Sequence, residues 1–239
     1  MGWEFERQQS LLEAAALSRA QKVANWLLLL ATRLSEFDGG LWDPCQMECD
    51  ELEEDSRRFE VQTLQMMMRL RPTGTELRKT LLLTNVWPVL RQSMRLAERI
   101  SEVASEFSYL TDFSVPALLA DLASATGDVL TAGIRTVRDW DEDCCRNVLH
   151  AAVKVRSQCL SLQYQISDRL REQSEDLPWV MRLQMQAEWL AVIAEGAAAF
   201  AEDVRRAVAA CPVSQISTAF AADDDLTAED WLIRTTPRV

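Results

Sequence analysis

The stretch LLEAAALSRAQKVANWLLLLATRLSEF, residues 11–37, decides the fold class. Its apolar residues Leu12, Ala16, Ala20, Val23, Leu27, Leu30, Leu34 and Phe37 follow one another at steps of 4, 4, 3, 4, 3, 4 and 3. Alternating steps of three and four return to the same side of a 3.6-residue turn, so these residues form one stripe along a helix. A helix from about residue 6 to 37 is about 50 Å long at 1.5 Å per residue. Its most apolar part, VANWLLLLA at 23–31, has nine residues, whereas a membrane span needs about 20.

The same period continues outward. Only 7 Gly and 7 Pro occur in 239 residues, too few for the turn every 8–12 residues that a many-stranded β fold requires. Breaks fall at Gly39, Gly40 and Pro44, at Pro72 and Gly74, and at Pro116, Pro178 and Pro212. Between them a second stripe reads Cys45, Cys49, Leu52, Phe59, Met66 and Leu70, with Ser56 and Thr63 filling its remaining turns. A third reads Leu77, Leu81, Thr84, Trp87, Leu90, Met94, Ala97, Ser101 and Ala104, with Pro88 expected to kink that helix. After TDFSVP (111–116) the pattern restarts, with Ser114 as an N-cap and Pro116 in the first turn. Helix four runs to about Trp140, helix five over about 141–173 and helix six from about Pro178 to 209.

Pro72 and Pro178 each open the third helix of a set of three. The expected architecture is therefore all-α: two tandem three-helix bundles, over 1–110 and 111–211. Residues 212–239 lose the stripe. They hold the acids Asp223, Asp224 and Asp225 and a short amphipathic piece, LTAEDWLI at 226–233, read as a tail.

Composition narrows the function. With 25 Lys and Arg against 37 Asp and Glu, the net charge is −12, which disfavours nucleic acid and anionic lipid as partners. The N-terminal MGWEFERQQSLLEAA does not read as a signal peptide, so the six Cys are expected as reduced thiols in the cytoplasm. One His argues against a multi-histidine metal site or a His-based catalytic centre. The glycine-rich nucleotide motifs and the G-x-S-x-G nucleophile elbow are absent. No catalytic residue and no enzyme activity are expected.

At RPTGTELR (71–78) the sequence resembles the PhoU family, regulators of bacterial phosphate transport. That family carries a segment like QPxAxDLR at the start of the third helix of a repeat. Pro72, Glu76, Leu77 and Arg78 stand in those places, with Glu for the usual Asp. Upstream, CDELEEDSRRFEVQTLQMMMRLRP (49–72) resembles the family's acidic second helix, and EQSEDLPWVMRLQMQAEWLAVIAE (172–195) resembles the matching segment of the second repeat. The resemblance covers about 10–210 and implies the same six-helix architecture. It also implies a cytoplasmic regulator or adaptor of phosphate uptake, in contact with the ATPase of a phosphate transporter and with a sensor kinase. A homodimer is a further possibility. The alternatives are a metal-binding helical bundle and an accessory subunit of another transporter.

One departure from the family changes the expected chemistry. PhoU proteins carry E-R-I-G-D in the third helix of each repeat, whose two carboxylates at i and i+4 share a metal ion. In register with Pro72 those positions are Arg91 and Arg95; in register with Pro178 they are Ala191 and Glu195. A guanidinium cannot ligate a metal, so no metal or other cofactor is expected. A shifted register would place Glu98 and Glu102 at i and i+4.

Arg91, Arg95 and Arg99 form an i, i+4, i+8 ridge. It reads as a site for an anion or acidic partner, or as a solvated face paired with Glu98, Glu102 and acids of helix two. Cys45 and Cys49 are expected in the core rather than as ligands. Of the adjacent Cys144 and Cys145, at most one joins the core. The acids at 50–55 suit a helix start, Met66, Met67 and Met68 read mainly as core filling, and His150 reads as a surface or half-buried residue.

Overall fold

The computed structural model describes residues 2–36, 42–105, 115–172 and 177–210. Among them are six helices and no strand: α1 (Gly2–Glu36), α2 (Trp42–Leu70), α3 (Gly74–Ser105), α4 (Val115–Asp139), α5 (Glu142–Glu172) and α6 (Leu177–Ala209). Ser114, Phe37, Cys211 and the tail from 212 lie outside the described residues, as do the side chains of Leu34 and Ala104.

The apolar stripes set the packing. Leu12, Ala16, Ala20, Val23, Leu27 and Leu30 of α1 are buried, as are Cys45, Cys49, Leu52, Ser56, Phe59, Thr63 and Met66 of α2. The third stripe holds from Trp87 onward and fails before it. Leu81 is 47% exposed, and the first turns of α3 bury Thr80, Leu82, Leu83 and Val86 instead. α3 touches α1, α2 and α6, so its buried arc is wider than one stripe. The helix runs unbroken through Pro88, whose ring lies on the exposed side.

Side-chain pairs fix the helix directions. Glu4–Arg69 and Arg19–Asp55 join α1 and α2 in antiparallel order. Glu53–Arg95 and the rings of Phe59 and Trp87, 4.8 Å apart, do the same for α2 and α3. In the second half, Glu142–Arg205 and Ser167–Gln184 set α5 against α6. α4 and α6 run parallel: the Thr126 hydroxyl donates to the Leu190 carbonyl at 3.4 Å, and Gly133 lies against Ala197. Gln186 Nε2 donates to the Ile100 carbonyl at 3.3 Å, and Gly196 faces Val89, so α3 and α6 are antiparallel.

α1, α4, α6 and α3 thus form a central ring of four, with α2 laid on α1 and α3 and α5 laid on α4 and α6. One broad face runs α2–α3–α6–α5, and the opposite face runs α2–α1–α4–α5. The closest approaches in the ring use small residues. A Cβ on Gly127 would sit 3.3 Å from the Ala24 carbonyl of α1, and one on Gly133 3.0 Å from the Ala197 carbonyl of α6.

Both described turns lie at the end where α1, α3 and α5 begin. Arg71 (φ 46°) and Trp140 (φ 48°) close α2 and α4 in the left-handed conformation. Their N–H groups donate to Met67 and Thr136 carbonyls at 3.0 and 2.9 Å, the arrangement that usually selects glycine. The Asp141 carboxylate caps α5 by accepting from the Cys144 N–H at 2.9 Å, which holds its carboxyl below the ordinary range.

Candidate functional site

The α2–α3 side carries the predicted arginine ridge. Arg91 meets Glu60 of α2 at 3.8 Å, and Arg95 meets Glu53. Glu53 also lies 4.0 Å from Arg57. The Arg95 guanidinium holds the Glu53 carboxyl below the ordinary carboxylate range. Arg99 is exposed and makes no ion pair among the described residues. Two of the three cations are therefore paired, and their partners are acids of α2 rather than Glu98 or Glu102.

The α5–α6 side holds the inverse arrangement. Here the cation belongs to the second helix of the set and the acids to the third. Arg156 of α5 donates to Glu188 at 2.7 Å and lies 3.6 Å from Glu195. Gln163 donates to the other Glu188 oxygen at 3.2 Å. Below them the Cys159 thiol donates to the Ala187 carbonyl at 3.3 Å. Burial and the nearby Glu188 push that thiol up to about 11. Sequence reasoning missed this network, because Arg156 and Glu188 are 32 residues apart and meet only across the folded hairpin.

These positions do not fit a shared metal. Arg91 and Arg95 bring positive charge to both family positions of the first repeat, and each is paired to a carboxylate of α2. Ala191 is fully buried in the core, and Glu195 faces Arg156. Among the described residues no group of three or more His, Cys, Asp or Glu side chains is arranged to hold an ion. Cys45 and Cys49 are buried. The Cys49 thiol donates to Cys45 and is held protonated, with its pKa raised. Cys145 is buried and Cys144 half-exposed; His150 is exposed.

The opposite face carries two grooves. Between α1 and α2 a groove of about 750 Å³ is lined by Leu11, Leu12, Met66 and Met68 with Gln62 and Gln65 at its rim. It lies between the Glu4–Arg69 and Arg19–Asp55 pairs. Leu11 is 63% and Met68 79% exposed, so of the three consecutive methionines Met66 alone is in the core. Between α4 and α5 a groove of about 480 Å³ has a floor that includes Ala125, Ala132 and Ala151, under Asp128, Arg135 and Lys154.

The segment that resembles the PhoU motif lies at the turn end. Pro72 is buried; Glu76 is exposed and its carbonyl accepts from the Thr80 hydroxyl at 2.8 Å; Leu77 is half-buried. Arg78 donates to the Ala210 carbonyl at 3.3 Å, and Lys79 Nζ lies 5.0 Å from the Trp140 ring centroid. The segment thus joins the α2–α3 turn to the α4–α5 turn and to the end of α6.

No family model matches the sequence, and no curated protein matches it. Solved structures do. PhoU from Pseudomonas aeruginosa superposes with a TM-score of 0.76 at 14% identity, covering 87% of this chain and 99% of that one. The phosphate transport system regulatory protein PhoU from Streptococcus pneumoniae gives 0.76 at 13% identity, with the same coverage. A PhoU-like phosphate regulatory protein from Shewanella oneidensis gives 0.60 at 14% identity, over 85% and 97% of the two chains. The chain has the PhoU fold.

Proposed function

We propose that this chain is a PhoU-like regulator of phosphate uptake and phosphate signalling that acts by protein–protein contact. The observation that carries the reading is the six-helix order, which runs through nearly the whole length of PhoU chains in the same fold. The motif at 72–78 supports it, because Arg78 and Lys79 use that segment to bind the two halves together at one end. The partners are the ATPase of a phosphate transporter and a sensor kinase. A helical face docks the partner, and affinity shifts with the partner's conformational state. Contact is made without the family's metal clusters, since Arg91, Arg95 and Ala191 supply no ligand. No described helix is long and apolar enough to cross a membrane.

Affinity capture of the full chain from its own cells tests this. The transporter ATPase or the sensor kinase is expected among the recovered proteins, and deletion is expected to alter phosphate uptake. Recovery of neither, with uptake unchanged, would overturn the proposal.

A further inference from the structure

The α1–α2 groove is lined by leucine, methionine and glutamine side chains, and Arg69 and Arg71 stand at its mouth. Arg69 stands at its end, 69% exposed in its side chain and 3.0 Å from Glu4. Next to it the exposed Arg71 makes no ion pair among the described residues. Further along α2, Arg57 and Arg58 are paired within the helix to Glu53 and Glu54 and add no net charge to the groove. The trough presents Leu11 and Met68, and Leu64 of α2 is a further exposed apolar residue, 59% exposed. Met side chains adapt to varied apolar partners. An occupant therefore needs an apolar ridge that follows an acidic stretch.

The chain's own sequence contains that pattern in that order. Asp223, Asp224 and Asp225 precede Leu226, Trp231, Leu232 and Ile233. The described chain ends at Ala210, whose carbonyl is held by Arg78 at the end where the groove opens. Sixteen steps separate residue 210 from residue 226, a reach of at most about 55 Å. The path crosses α3 and α1, and neighbouring helices lie about 8–10 Å apart. Along such a path the acids at 223–225 come before the apolar residues in chain order, and Arg71 and Arg69 come before the trough. Tethering raises the effective concentration of such a segment to the order of millimolar, so weak contacts suffice.

We propose that residues 223–233 dock in cis into the α1–α2 groove, with Asp223–Asp225 against Arg69 and Arg71 and with Leu226, Trp231 and Leu232 on Leu11 and Met68. A partner that uses the groove must then displace this segment. The inference rests on the groove, the exit point and the charge order, and it stands apart from the regulatory reading.

The test places a photo-activated cross-linking residue at Gln65 in the full chain, at low protein concentration, with a second protein carrying it at Gln158 in the α4–α5 groove. The Gln65 probe is expected to give adducts within 226–233 at monomer mass. Replacing Asp223, Asp224 and Asp225 together by Lys lowers their yield about fivefold, the factor for two exposed ion pairs. These substitutions lie outside the described helices, so loss of the adduct does not report an unfolded bundle. The Gln158 probe gives no such adduct. Adducts at dimer mass, equal yields from the two probes, no adduct on 226–233, or a yield unmoved by the charge reversal would each overturn the docking.

Discussion

At the scale of single residues, the ion pair Glu53–Arg95 is the most informative contact. It joins α2 to α3 where the resemblance to PhoU would place a metal-binding acid. The pair is partly solvated, with 34% and 63% of the two side chains exposed, so its worth at neutral pH is no more than about 1 kcal/mol. Its sign with pH follows from the Glu53 carboxyl, whose folded pKa lies below the ordinary 4.5. The contribution is full above 4.5 and is lost as pH falls below that value. Glu53→Gln should therefore lower the urea midpoint at pH 7, and the gap between the two proteins should narrow as pH drops through about 4.5. A gap that stays constant or widens on acidification would show that Glu53 acts through something other than its charge.

At the scale of helices, the α4–α6 contact depends on Gly133. A Cβ there would lie 3.0 Å from the Ala197 carbonyl and 3.1 Å from the Ala197 Cβ. Gly133→Val should destabilise by about 1–3 kcal/mol through overpacking. Gly133→Ala should cost less, because the squeeze is offset by roughly 1 kcal/mol of helix propensity. Chemical denaturation of both variants checks this; a Val variant as stable as the parent would mean that α4 and α6 part without cost. The helices themselves were legible because periodicity reports which side of a helix is apolar. Each stripe residue from Cys45 to Met66 is buried. What periodicity does not report is the neighbour. Nothing in the spacing of α1 shows that it packs most extensively on α4, and a helix with three neighbours, such as α3, buries an arc that a single stripe misplaces at Leu81. The turns after α2 and α4 were legible from Pro72, Gly74 and the end of the stripe near Trp140, but their left-handed caps at Arg71 and Trp140 were not, because such caps are usually marked by glycine and neither position has one. Arg91 and Arg95 were visible as a ridge, whereas Arg156 with Glu188, and Leu11 with Met68, become sites only when separate helices meet.

At the scale of the whole molecule, the two broad faces differ in chemistry. The α2–α3–α6–α5 face is laced by inter-helix ion pairs, with Arg91 and Arg95 of α3 on acids of α2, Arg156 of α5 on acids of α6 and Arg205 of α6 on Glu142 of α5. The α2–α1–α4–α5 face carries grooves with apolar floors. The fold is that of PhoU, yet the positions that would gather carboxylates around an ion hold two guanidinium groups, a buried methyl and one carboxylate already paired to Arg156. We propose that this PhoU-fold molecule works without bound metal. Elemental analysis of the protein, purified with neither chelator nor added metal, tests it most directly. A metal content far below one ion per chain is expected; one or more transition-metal ions retained per chain would overturn the metal-free reading.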